Sequence, residues 1–263
     1  MDDSTIVWRV NRNPRTTVLE MGEYMASDDG PRETLLRNWK YERIAPSLIY
    51  DKLYQAVSGF LTSPTLDRSI LDKCRRHLET ERDASQTAQR RENLQYEINA
   101  LDTFERSLNA LDTRNVLYER LPQAGRPLDI NDVKISVRPT VRIRVSRPRG
   151  KDLIGALLID NAKGTLPKTP EAEAKLTSGM CYAAALLHRQ VAEIVAESGT
   201  DEVRVSPEHC VIFHPYRQQQ IASPTSSRKM IRNVEAVCTG VARGWDRILA
   251  PTSFDAAKAR FRG

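Results

Sequence analysis

Apolar residues recur every three or four positions from Pro31 onward. Leu35, Leu36, Trp39, Tyr41 and Ile44 form one helical stripe, with Pro31 near its start and Pro46 closing it. A second stripe of Leu48, Ile49, Leu53, Tyr54, Val57 and Phe60 predicts a helix over 47–61. Two further helices carry Leu66, Ile70, Leu71, Cys74 and Leu78, then Leu94, Tyr96, Ile98, Leu101, Phe104, Leu108 and Leu111. The polar stretch from Glu79 to Glu92 either separates these two or continues them as one long solvated helix. Ahead of Pro31 the periodicity is weak: Ile6 to Val10 predicts a short strand, and Asp28 to Pro31 a turn or helix start.

After Asp112 the period drops to two. Val116 to Leu121 predicts a short strand and PQAGRP a loop. Val133, Ile135 and Val137 then alternate with Lys134, Ser136 and Arg138; past Pro139, Val141, Ile143 and Val145 alternate with Arg142 and Arg144. One face is core and the other cationic, and Pro139 marks an edge, a bulge or a break between two strand pieces. The turn SRPRGKD leads into Leu153 to Ile159, whose continuous apolar run predicts a strand buried on both faces and hairpin-paired with the one before. A long helix over 170–198 is ended by Gly199; Glu202 to Val205, Cys210 to His214 and Gln219 to Ala222 predict strands, and a last helix covers 226–249. The fold class is α/β of the α+β kind: a small mixed central sheet flanked by helices, with a helical N-terminal half.

Composition narrows the function classes. With 263 residues, 40% apolar and 28% charged, the chain can bury about 70 to 75% of its unfolded surface, which excludes disorder as the main state. No run approaches the roughly 18 apolar residues of a membrane span, and MDDSTIVWRVNRNPR lacks the basic and apolar regions of a secretory signal, so a cytoplasmic protein is expected. Cys74, Cys181, Cys210 and Cys238 are isolated, which favours reduced, buried thiols over a disulfide framework or metal cluster. The net charge of +6 is concentrated. Between Val133 and Lys151 stand seven basic residues and no acid, while the remaining 33 basic and 34 acidic residues nearly cancel. A basic stripe of this kind, here Arg138, Arg142, Arg144, Arg147, Arg149 and Lys151 beside Lys134, is the electrostatic footprint of a polyanion binder. A solvated outer strand face is the alternative.

No P-loop, dinucleotide fingerprint, nucleophile elbow, HExxH or Cys/His pair is present, and His77, His188, His209 and His214 are scattered. What remains is the hairpin end IGALLIDNAKG, where Asp160 and Lys163 emerge beside the arginine-bearing strand. A carboxylate there can bind a hard divalent cation and a lysine can orient water or stabilise developing phosphorane charge; a polar turn ending a strand explains the same residues.

The order helix, strand, strand, apolar strand ending in an acid and a lysine, long helix, strand, helix resembles the PD-(D/E)XK nuclease superfamily, in its RecB-like exonuclease branch. The resemblance runs over roughly 31–249 through WKYERIAPSLIY, ISVRPTVRIRV, LIGALLIDNAKG, MCYAAALLHRQVAE, CVIFHPYRQQQIASP and RNVEAVCTGVARGWDRI. It implies a metal-binding Asp near the start of the second core strand and an acid-x-Lys on the third. Here Thr140 stands at the first place, and two residues rather than one separate Asp160 from Lys163, so the pair cannot share one face of a regular strand. A degenerate active site follows: a nuclease-like scaffold, a pseudoenzyme, whose active face has become a phosphate-binding surface. The expected organisation is an N-terminal extension 1–27, a helical region 28–112, a nuclease-like core 113–252 and a frayed tail 253–263.

Three functions follow from this reading. The first is a nucleic-acid-associated protein, DNA favoured over RNA, binding backbone through the six named cations with weak or no catalysis. The second is an active nuclease in which Asp160 and an acid from the front helices, Glu42, hold Mg or Mn and Lys163 assists. The third is a protein interaction module, with a protein partner or a second copy of the chain. No membrane partner is expected.

Overall fold

A computed structural model of the chain describes residues 7–44, 50–113, 116–121, 126–161 and 167–262. Two short strands open it, β1 (Val7–Asn11) and β2 (Arg15–Thr17), followed by α1 (Val18–Ala26). The segment with little periodicity is therefore ordered and built into the core, where Val18 and Met21 are buried. Its helix is set by a capping box: the Thr17 hydroxyl accepts from the Glu20 amide at 3.3 Å, and the Glu20 carboxylate accepts from the Thr17 amide at 2.8 Å. Next comes α2 (Asp29–Lys40), which stops short of the predicted end because Tyr41–Ile44 becomes strand β3. The helices α3 (Asp51–Leu61), α4 (Ser69–Ala84) and α5 (Ala88–Ser107) follow, so the polar stretch is shared by two helices and holds the break between them at 85–87.

The strands β4 (Leu117–Glu119), β5 (Leu128–Ile130), β6 (Val133–Ser136), β7 (Val141–Val145) and β8 (Asp152–Ile159) come next. Then α6 (Pro170–Ser198) is capped by the Thr169 hydroxyl and ended by Gly199 at φ 63°. The chain finishes with β9 (Val203–His214), β10 (Gln219–Ala222), α7 (Ser227–Gly244) and β11 (Ala259–Arg262). The two strands predicted at 202–205 and 210–214 are one, interrupted by a register shift opposite Gly155. The tail expected to fray instead pairs in parallel with β1.

Five strands form the central sheet in the order β10-β9-β8-β7-β4. β7 and β8 are the expected antiparallel hairpin, and α6 carries the chain across to β9, which lies parallel to β8. One face, through Ile154, Ala156, Leu158, Cys210 and Ile212, packs on α1, α6 and α7; the other, through Val141, Ile143, Leu157, Val211 and Phe213, packs on α3, α4 and α5. β8 is buried on both sides, as its unbroken apolar run predicts. Two small sheets, β11-β1-β3 and β2-β6-β5, flank this core. Pro139 separates β6 from β7, which enter different sheets, so the alternation on either side of it is not one continuous face. Buried Lys40 ties the first small sheet to the end of α7, donating to the Trp245 carbonyl at 2.7 Å, and the Trp245 indole donates to the Asn11 carbonyl at 3.1 Å.

Candidate nucleic-acid interface

The predicted cationic stripe is divided by this topology. Lys134 lies on β6 and Arg138 just after it, whereas Arg142 and Arg144 lie on β7, opposite Ala156 and Ile154 and hence on the α6-facing side of the central sheet. There the chain supplies its own counterions. Glu119, directly across from Arg142 on β4, accepts from two of its nitrogens. Arg144 donates to Asp152 at 2.8 and 2.7 Å and lies 3.8 Å from Glu119. The Arg144 hydrogen bond holds the Asp152 carboxyl below the usual carboxylate range, helped by the Arg147 backbone amide, and Asp152 in turn raises the Arg144 guanidinium. Lys151 pairs with Asp201 at 3.3 Å. Arg138, Arg147 and Arg149 stay exposed, with no side-chain ion pair among the described residues.

At the other end of β8, Asp160 follows the last strand residue and its amide donates to the Phe213 carbonyl at 2.8 Å. Lys163 lies outside the described residues. Thr140, standing where the resemblance implies an acid, joins the two strands at the open end of the hairpin: its hydroxyl accepts from the Ile159 amide at 3.2 Å and its own amide donates to the Leu157 carbonyl at 2.7 Å. Glu42, expected beside Asp160, is on β3 in a separate sheet and held by Arg9 at 3.1 Å. The acid that feels Asp160 is Glu23 of α1, whose carboxyl is raised by burial first, then by Glu20 and Asp160. Around this end the fold buries polar groups it does not fully satisfy. Asn161 lies close enough to Tyr54 to moderate the rise that burial imposes on that phenol, yet neither amide atom of Asn161 has hydrogen-bond geometry with a partner, and His214 Nδ1 is likewise without one. Among the described residues no three of His, Cys, Asp and Glu gather closely enough to hold a metal ion. Glu23 and Asp160 are the two carboxylates that interact at this end of β8.

A different set of cations, not singled out by charge along the sequence, meets where β1, β2 and β11 converge. The parallel pairing of β1 with β11 sets Arg260 beside Arg9 and Arg262 beside Asn11, and the pairing of β2 with β6 sets Lys134 beside Arg15. The Arg15 guanidinium has a buried terminal nitrogen with no hydrogen-bond partner. Burial lowers its proton affinity, Arg262 and Arg9 lower it further, and only Glu42 opposes them. Glu42 is already engaged by Arg9, and Arg260 and Arg262 are exposed with no ion pair among the described residues. A buried donor left unmade costs about 1–3 kcal/mol, and like charges add to that cost. Arg12, 5.4 Å over the Phe261 ring, extends the cationic rim.

The local signal for this group is only the spacing of Arg9, Arg12 and Arg15 near one end of the chain and of Arg260 and Arg262 near the other. No family model, curated protein or solved structure matches the chain.

Proposed function

We propose that the protein associates with nucleic-acid backbone, DNA before RNA, on a nuclease-like scaffold with weak or absent catalysis. The observation that carries this is the Arg15 group: a partly buried guanidinium with an unmade hydrogen bond, crowded by Arg9 and Arg262 and answered by one carboxylate. Arg138, Arg147 and Arg149 supply further exposed cations from the basic segment, whereas Arg142, Arg144 and Lys151 are engaged by acids of the chain. The strand order β4-β7-β8, a crossover helix and β9 supports the scaffold. Weak catalysis is supported by Thr140 in its structural role and by the spacing of Asp160 and Lys163. Contacts made through phosphates carry no base information, so binding is sequence-independent.

The test is a duplex titration over a range of salt. With about three phosphates contacted, affinity falls about 40-fold between 50 and 200 mM salt. No binding at the lower concentration, or equal binding of polyglutamate, overturns the proposal. The nuclease alternative keeps one observation, the nearness of Glu23 and Asp160 beside the under-satisfied Asn161 and His214. Cleavage with added Mg or Mn that disappears in Asp160→Ala supports it; cleavage that persists in that variant comes from elsewhere.

A further inference from the structure

β8 and β9 run parallel, so their carboxyl ends lie side by side, the end of a parallel pair at which ligands are received. Four buried polar atoms stand there without a hydrogen-bond partner: both amide atoms of Asn161, Nδ1 of His214, and Oε1 of Gln219, which faces His214 across the β9–β10 ladder. Asn161 and His214 are only 3% and 5% exposed, so bulk water does not serve them. Buried polar atoms left unmet are costly and rare, and a group of them calls for a partner that the described residues do not supply.

The surroundings of Asn161 define that partner. Tyr54 on α3 stands against it, close enough for the amide to moderate the rise that burial imposes on the phenol. Tyr54 is itself 37% exposed, so turning this one ring outward opens the amide. Tyr50 lies edge-on to Tyr54 at 6.4 Å and Tyr216 edge-on to His214 at 6.3 Å; both tyrosines are half-buried, and the Tyr50 phenol feels that of Tyr216. Ring faces beside an amide suit a flat ligand. An amide with donor and acceptor both unmet is not matched by a simple anion or cation, each of which answers one of the two. It is matched by a planar edge that carries a donor beside an acceptor, as a nucleobase does. Glu23 and Asp160, on the α1 side of the same end, disfavour phosphate, and among the described residues no three of His, Cys, Asp and Glu gather to hold a metal. The base, not the backbone, is the part this end receives.

We infer that the carboxyl end of β8 and β9 binds an unpaired nucleobase, its hydrogen-bonding edge on the Asn161 amide and its ring against Tyr54. Asn161 Oδ1 accepts from the amino group of the base and Nδ2 donates to the adjacent ring nitrogen, the pairing of asparagine with adenine. The site needs no phosphate and so does not depend on backbone binding at the Arg15 group. Calorimetric titration of the full chain with adenosine, its dimethylamino analogue and ribose tests it. Adenosine is expected to bind, and ribose not to. The analogue, whose amino group no longer donates, should bind about tenfold more weakly, the discrimination of one bidentate pair. Asn161→Leu, which keeps the volume and removes both polar atoms, should weaken adenosine to a similar extent and Tyr54→Leu severalfold, whereas Arg15→Gln leaves that binding unchanged. No adenosine binding, equal binding of the analogue, or a folded Asn161→Leu variant that binds as the parent does would overturn the inference. Should Asn161→Leu not fold, the comparison of adenosine with its analogue on the parent chain decides alone.

Discussion

The arginines of β7 and those around Arg15 are the same side chain in opposite circumstances. Arg142 and Arg144 come from the most basic stretch of the sequence, yet each faces a carboxylate delivered by a neighbouring strand, Glu119 from β4 and Asp152 from β8. Arg9, Arg15, Arg260 and Arg262 come from segments far apart in the sequence, where no basic run draws notice, and among the described residues Glu42, paired with Arg9, is the acid that acts on Arg15. Charge density along a sequence and charge density in space are therefore different quantities. An antiparallel ladder can neutralise its own arginines pair by pair, because the residues directly opposite are fixed by register. Arg9 is answered in the same way by Glu42 on antiparallel β3, whereas the parallel pairing of β1 with β11 sets Arg260 beside Arg9, cation against cation.

That contrast can be broken or sharpened at three places besides the group itself. The largest effect is expected at Gly155, where an added Cβ would lie 2.0 Å from the His209 carbonyl oxygen at the β8–β9 register shift. Gly155→Ala should lower stability by about 3 kcal/mol in urea unfolding, since overpacking here displaces backbone. An unchanged midpoint would mean that the close approach of β9 to β8 at this register shift is wrong. Next, Glu119→Gln with Asp152→Asn releases the β7 arginines. The slope of log affinity against log salt for duplex DNA should steepen by about 1 to 2 as these cations become available to phosphate.

A smaller effect, away from both groups, separates stability from binding. Glu97 on α5 is buried with one carboxylate oxygen unsatisfied, and burial raises its pKa to about 6. A raised carboxyl favours the protonated folded state, so no penalty exists below the unfolded value of 4.5, stability declines as pH rises toward 6, and the full penalty persists above it. Discounted for solvent screening, Glu97→Gln should stabilise by about 1 kcal/mol at pH 7.5 and by nothing at pH 4, read from melting curves, without changing the DNA salt slope.

The sheet and its helices were legible where one periodicity runs unbroken: the alternation of β7, the apolar run of β8, the long stripe of α6 closed by Gly199. α1 was missed although its cap, Thr17 with Glu20, is written in TVLE, because nine residues between a short strand and the next helix carry too little periodic signal. β3 looked like the end of α2 because Tyr41 and Ile44 happen to continue its spacing. The strand pairing of 259–262 has no local signature, since its partner lies some 250 positions away in sequence. The candidate site was hidden for the same reason. Asp160 was found at a strand end, but its acidic neighbour Glu23 and the Arg15 group exist only through contacts between distant segments.

The decisive measurement compares two charge-removed variants in duplex-DNA titrations at several salt concentrations. In one, Arg15→Gln and Arg262→Gln open the terminal group; in the other, Arg142→Gln and Arg144→Gln are combined with Glu119→Gln and Asp152→Asn, so that no acid is uncovered. The first should lose about 2 in the salt slope, near 0.9 per phosphate contact, and the second should match the parent protein. A slope unchanged in the first and reduced in the second would contradict the account and return the interface to β7.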